Sequence, residues 1–172
     1  RSGLGTYVSN LVKGLLKRGH KVTLITLRGQ NVVSLKALKI ITLKKNRLDP
    51  TDGKWLSFSY KACKLLKKLE KSKKFDLVHF ASTRDGFFSK TRIPSVGMMH
   101  DYYFAIANKN PFYYKKYYRD WIKRYFYCHL MKFLDKKPLK KISLVFCNSY
   151  YVANILNKVY SIPKTKKGEF RP

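Results

Sequence analysis

Three short clusters in this chain place flexible or polar residues where a parallel α/β sheet would present them to a ligand. Gly3-Leu4-Gly5 opens an apolar-periodic segment, so two glycines stand at a helix N-terminus. Unsatisfied backbone N–H groups and the helix dipole favour a phosphate or another anion there, and glycine lets the backbone approach it. His100-Asp101 leaves the apolar segment PSVGMM. An imidazole at that place can hydrogen-bond a polar ligand, and the carboxylate can orient it or bind a hydroxyl. Asn148-Ser149 follows ISLVFC and either caps the next helix or faces the same crevice. Each cluster also has a plain structural reading: helix-on-sheet packing for the glycines, a loop-capping pair for His100 and Asp101, and an N-cap for Ser149. His79, inside FDLVHF, and His129 read as packing residues, and His20 as a surface residue after a helix stop. Cys63, Cys128 and Cys147 are odd in number and form no CxxC, so neither a disulfide framework nor a zinc site is expected, and a reducing compartment is the default.

The elements that must position these clusters follow from periodicity. Leu4, Tyr7, Val8, Leu11, Val12, Leu15 and Leu16 form one helical stripe, and Gly19 stands where a left-handed stop belongs. Val22 to Leu27 and Leu38 to Leu43 read as strands, and residues 54–72 as a helix with Trp55, Phe58, Ala62, Leu65, Leu66 and Leu69 on one face. Further strands are expected at 75–80, 94–99 and 142–147, a long helix at 112–135, and a last helix from Ser149 to Tyr160. Apolar strands alternating with amphipathic helices predict a three-layer α/β, Rossmann-like domain with a mainly parallel sheet over residues 1–163. The basic tail 164–172 is expected to be poorly ordered. Helix, glycine stop and strand within the first 27 residues read as a βα unit whose first strand is missing.

Ligands of such sheets bind outside the carboxyl ends of the strands, where all three clusters fall. The 172 residues suit one domain, and 45% hydrophobic residues exclude wholesale disorder. The charge is the outlier, with 38 Lys plus Arg against 9 Asp plus Glu and a formal net charge of +29. It calls for an anionic partner, a membrane surface or a phosphate-bearing ligand, or else for a missing acidic half. Residues 109–141 hold eleven Lys or Arg and ten aromatics. Tyr118, Ile122, Tyr125, Phe126, His129, Leu130 and Phe133 fit one apolar stripe, with Lys116, Arg119, Lys123 and Lys137 toward the other side. A basic amphipathic helix with Trp121 and tyrosines suits an anionic lipid interface, and its plain structural reading is an ordinary helix that packs its stripe on the sheet and exposes its lysines. Lys116, Arg119, Trp121 and Lys123 are its candidate membrane contacts. No apolar run is long enough to span a bilayer.

The succession SGLGTYVSNLVKGLLKRGHKVTLIT, FDLVHFAS, IPSVGMMHD and ISLVFCNSYYVANIL followed by SIPKTK resembles the N-terminal domain of a family-four GT-B glycosyltransferase across most of residues 1–166. The resemblance implies retaining transfer of a sugar from a nucleotide-sugar donor, with no metal or other cofactor required. It assigns Gly3 and Gly5, with Leu4 between them, to the glycine-rich loop near the donor phosphates and the acceptor. Ser2 replaces the first glycine of that loop's usual form. It assigns His100 to the histidine that contacts the transferred sugar, Asp101 to the acid that follows it, and Ser149 to the serine after the strand leading toward the second domain. It also implies a donor-binding domain with paired glutamates. The residues after SIPKTK depart from the family pattern, so a fragment with little or no transferase activity of its own is expected.

The expected partners are a nucleotide sugar, a glycan or lipid-linked acceptor and an anionic membrane surface, at the inner face of the cell membrane in the cytoplasm. The alternative is a basic nucleic-acid-binding Rossmann-like module. Nucleic acid is disfavoured because the chain has no RNP-like strand, zinc-finger spacing or Gly-x-x-Gly clamp, and lysine outnumbers arginine. A dinucleotide-binding domain is disfavoured as well, because the third glycine of GxGxxG is missing and strand 22–27 ends without an acid. No second carboxylate accompanies Asp101 as a glycoside hydrolase would need.

Overall fold

The computed structural model describes residues 3–29, 35, 37–51, 54–100, 109, 111–162 and 167–169. The chain divides into two compact units, 1–73 and 74–172.

In the first unit, α1 (Gly3–Lys17) buries Val12, the middle of the sequence stripe. It ends as its glycine requires. Gly19 takes φ 81°, its N–H donates to Leu16 O at 3.0 Å, and the His20 N–H donates to Leu15 O at 3.1 Å. These two bonds satisfy carbonyls that the last turn would leave unpaired, and a residue with a Cβ would be strained at that φ. β1 (Val22–Leu27) and β2 (Leu38–Leu43) then pair in parallel, from Val22 opposite Leu38 to Leu27 opposite Leu43. α2 (Trp55–Ser72) buries Trp55, Ser59 and Cys63 and keeps Lys64, Lys68 and Lys71 outside. Lys54, at its N-cap position, is left-handed and offers no side-chain cap. The preceding turn does that work. Asp49 accepts the Ser57 N–H at 2.6 Å, and the Thr51 hydroxyl oxygen accepts the Leu56 N–H at 3.2 Å. A carboxylate and a hydroxyl outside the helix thus take two of the N–H groups that a first turn cannot pair internally.

In the second unit, β3 (Val78–Phe80), β4 (Ser95–Met99), β5 (Leu144–Cys147) and β6 (Lys167–Glu169) pair in that order, all parallel. A 3-10 turn (Thr83–Gly86) follows β3, α3 (Pro111–Tyr117) and α4 (Trp121–Lys141) lie between β4 and β5, and α5 (Tyr150–Tyr160) follows β5. The core joins Phe80, Met99, Leu139, Ile142, Val145 and Leu156 with neighbouring residues of α5. Gly97, in the middle of β4, is there for space. A Cβ would come within 2.9 Å of Ile142 Cδ1 and 3.3 Å of Thr83 Cγ2.

The fold is mixed α/β with parallel strands, as the sequence pattern predicts. Its strands form two sheets among the described residues, where one was expected. Three elements also differ from expectation. FDLVHF gives a strand only from Val78, because the Val78 N–H donates to Pro94 O at 3.0 Å and Pro94 itself has no N–H to continue the ladder. The long helix expected over 112–135 is two. Asp120 takes φ −97°, ψ 56° and separates α3 from α4. Aspartate competes poorly inside helices and favours such cap positions. α4 then runs past 135 and through Pro138, whose missing N–H is offset by the complete burial of Leu139 and near-complete burial of Ile142. Within the basic tail, Lys167–Glu169 pair with Val145–Cys147, a strand that the tail's composition does not announce.

Candidate functional site

Parallel pairing brings the carboxyl ends of β3, β4 and β5 to one edge of the second sheet. Met99 lies opposite Cys147, so His100 and Asn148 each stand one residue beyond a paired position. The His100 Nε2 lies 3.0 Å from Ala81 O, just past β3. A carbonyl can only accept, so Nε2 carries the proton and donates, and in the neutral ring Nδ1 is the acceptor nitrogen. That bond ties the end of β4 to the end of β3 and fixes the ring's orientation. His79, half-buried on β3, is its electrostatic neighbour. Burial, and then the positive charge His100 would carry, hold the His79 pKa below its ordinary value of 6.5. His79 is therefore a neutral imidazole near pH 7.

Across β5 the same edge carries the start of α5. Ser149 is exposed, and its Oγ accepts the Val152 N–H at 3.2 Å, so it is the helix's N-cap. An accepting hydroxyl keeps its own proton to donate, so capping and ligand contact are compatible.

The loop behind β3 is held by a capping box and a buried ion pair. Ser82 and Asp85 form a capping box, with the Ser82 N–H donating to Asp85 at 3.0 Å. The next side chain, Arg84, makes a two-pronged bond to Asp135 of α4, Nε to Oδ1 at 2.7 Å and Nη2 to Oδ2 at 2.9 Å. Both groups are buried, at 6% and 0% side-chain exposure. Burial, and then the Asp135 charge, push the Tyr160 hydroxyl's pKa well above its ordinary value, with Arg84 opposing. The Ser-x-x-Asp spacing was visible in the sequence. The pairing of residues 84 and 135 was not, because nothing local marks Asp135 as buried.

The other expected site residues lie as follows. Gly3, Leu4 and Gly5 form the exposed first turn of α1 in the first unit, and a Cβ at Gly3 would meet nothing within 4 Å. His100 and Ser149 belong to the second unit, and Asp101 lies outside the described residues. Lys116, Arg119 and Lys123 are exposed. Trp121 is half-buried and packs with Tyr113, Tyr118 and Tyr125 against the fully buried Tyr114 and Cys128. The expected stripe of α4 is thus divided. Tyr118 and Tyr125 pack inward, and His129 Nδ1 donates to Tyr125 O at 2.9 Å. Ile122, Phe126, Leu130 and Phe133 face outward. Among the described residues, no three His, Cys, Asp or Glu side chains gather as a metal would need, and no helix is long and apolar enough to cross a membrane.

Parallel strands linked by helices define a Rossmann-like α/β domain. More particularly, the chain belongs to Glycosyltransferase Family 4, whose family model matches residues 1–167. It is therefore a transferase domain that works with a sugar donor and an acceptor. None of the curated proteins matches the chain.

Proposed function

We propose that this domain serves a retaining transfer of a sugar from a nucleotide-sugar donor to a glycan or lipid-linked acceptor at the inner face of the cell membrane, with no metal taking part. The observation that supports it is His100, held at the carboxyl edge with its Nε2–H on Ala81 O. In that tautomer Nδ1 accepts a hydroxyl proton of the transferred sugar and orients the ring. Ser149 donates its hydroxyl proton to the ligand while its oxygen caps α5. The glycine-rich N-terminus of α1 at Gly3, Leu4 and Gly5 suits phosphate oxygens.

The test is to supply the full natural protein with a panel of UDP- and GDP-linked hexoses and a membrane-lipid extract, and to read the product's anomeric configuration by NMR. A product of the donor's configuration supports the reading. An inverted product, or no transfer from any donor, contradicts it.

A further inference from the structure

We propose that the outward face of α4, formed by Ile122, Phe126, Leu130 and Phe133, is the surface that enters an anionic lipid leaflet. This rests on the membrane reading above and names the element that carries it.

The four residues stand at i, i+4, i+8 and i+11, which is one line along a helix, about 16 Å long. They are 55%, 67%, 55% and 77% exposed. The opposite face is already used. Cys128, Met131, Asp135 and Leu139 are buried against the second unit's interior, and Asp135 is bound to Arg84. α4 therefore has two apolar faces, and among the described residues packing within the second unit consumes only one. An isolated exposed apolar residue is ordinary, but four in line on one helix mark an interaction surface.

Charge chooses the occupant. Lys123, Lys136, Lys137 and Lys140 are exposed on or beside the stripe. Lys137 lies 4.3 Å from the centre of the Phe87 ring. The carboxylates of residues 111–141 are Asp120, at the N-cap, and Asp135, buried on the other side. The stripe is thus apolar, basic-edged and without an exposed acid along its length. That pattern fits an anionic leaflet, where the rings sit below the headgroups and the lysine ammoniums stay among the phosphates. A second copy of the chain would bring lysine against lysine.

The experiment is co-sedimentation of the full chain with phosphatidylcholine vesicles, with and without phosphatidylglycerol. Wild type is expected to bind only the anionic vesicles. The F126S/F133S variant should bind at least about tenfold more weakly. Tyr151→Ser, an equally exposed change on α5, should bind as wild type does. If wild type binds neither vesicle, the membrane reading and this inference fall together. If F126S/F133S binds as tightly as wild type, the inference alone fails and another surface holds the membrane. Should that variant misfold, Phe133→Trp gives a second readout. Quenching of its fluorescence by brominated anionic lipid supports insertion, and no quenching beyond wild type overturns it. Lipid-free self-association abolished by F126S/F133S would also overturn it, by assigning the face to a second copy.

Discussion

α2 and α4 are both long and rich in lysine, yet they are built on opposite plans. α2 is an ordinary amphipathic helix. Its apolar side, with Trp55 and Cys63 buried, faces the first unit's interior, and Lys64, Lys68 and Lys71 face out. A pair of local groups, Asp49 and Thr51, secures its start. α4 has apolar residues on two sides, and a buried arginine–carboxylate pair from a distant turn secures its middle. Lysine content alone does not distinguish a helix with one apolar face from a helix with two. What separates them is whether the fold leaves an apolar face uncovered.

The largest effect that bears on this difference should come from the anchor of α4. Asp135→Asn or Arg84→Met removes one half of a buried pair and strands the other, and should cost about 3–5 kcal/mol in denaturant unfolding. A loss below about 1 kcal/mol would mean that α4 is held by apolar contacts alone. Next is Gly97→Ala, whose new methyl would press on Ile142 just beyond α4, at 2.9 Å. Overpacking there should cost about 1–3 kcal/mol.

For α2 the corresponding change is Asp49→Ala, expected to cost about 1–2 kcal/mol through the lost cap. It carries a pH signature. Burial acts to raise the Asp49 pKa, and hydrogen bonds from Ser57 and Thr51 outweigh it, to about 2, against 3.8 for an ordinary aspartate. The carboxylate's contribution is therefore complete above pH 3.8 and lost as pH falls toward 2. Wild type should lose its advantage over Asp49→Ala across that window. An advantage that persists unchanged at pH 2 would contradict the capping role. The smallest stability effect is expected from F126S/F133S, within about 0.5 kcal/mol of wild type, because exposed side chains contribute little to folding. A large loss would show that the outer face of α4 is packed after all.

The same contrast explains what the sequence made legible. α1 with its Gly19 stop, β1, β2, α2, β4 and the Ser149 cap of α5 could be read because each is announced locally, by periodicity or by a capping residue. His100 could be placed because it leaves a short apolar strand. The break at Asp120, the two-sided character of α4 and the Arg84–Asp135 pair could not. Stripe counting merges two apolar faces into one, and an aspartate in a lysine-rich segment looks solvated until the turn that holds its arginine is known. The split into two sheets was hidden for a related reason. A strand's own pattern fixes which face is buried but does not name its ladder partner.

His100, tied to Ala81 at the sheet's carboxyl edge, is the residue we propose to handle the transferred sugar. The most direct test is kcat for sugar transfer by the full natural protein carrying His100→Ala, beside its melting temperature and its vesicle binding. We predict a fall in kcat of about a hundredfold or more, with vesicle binding unchanged and the melting temperature within a few degrees of wild type. Transfer at the wild-type rate would contradict the claim.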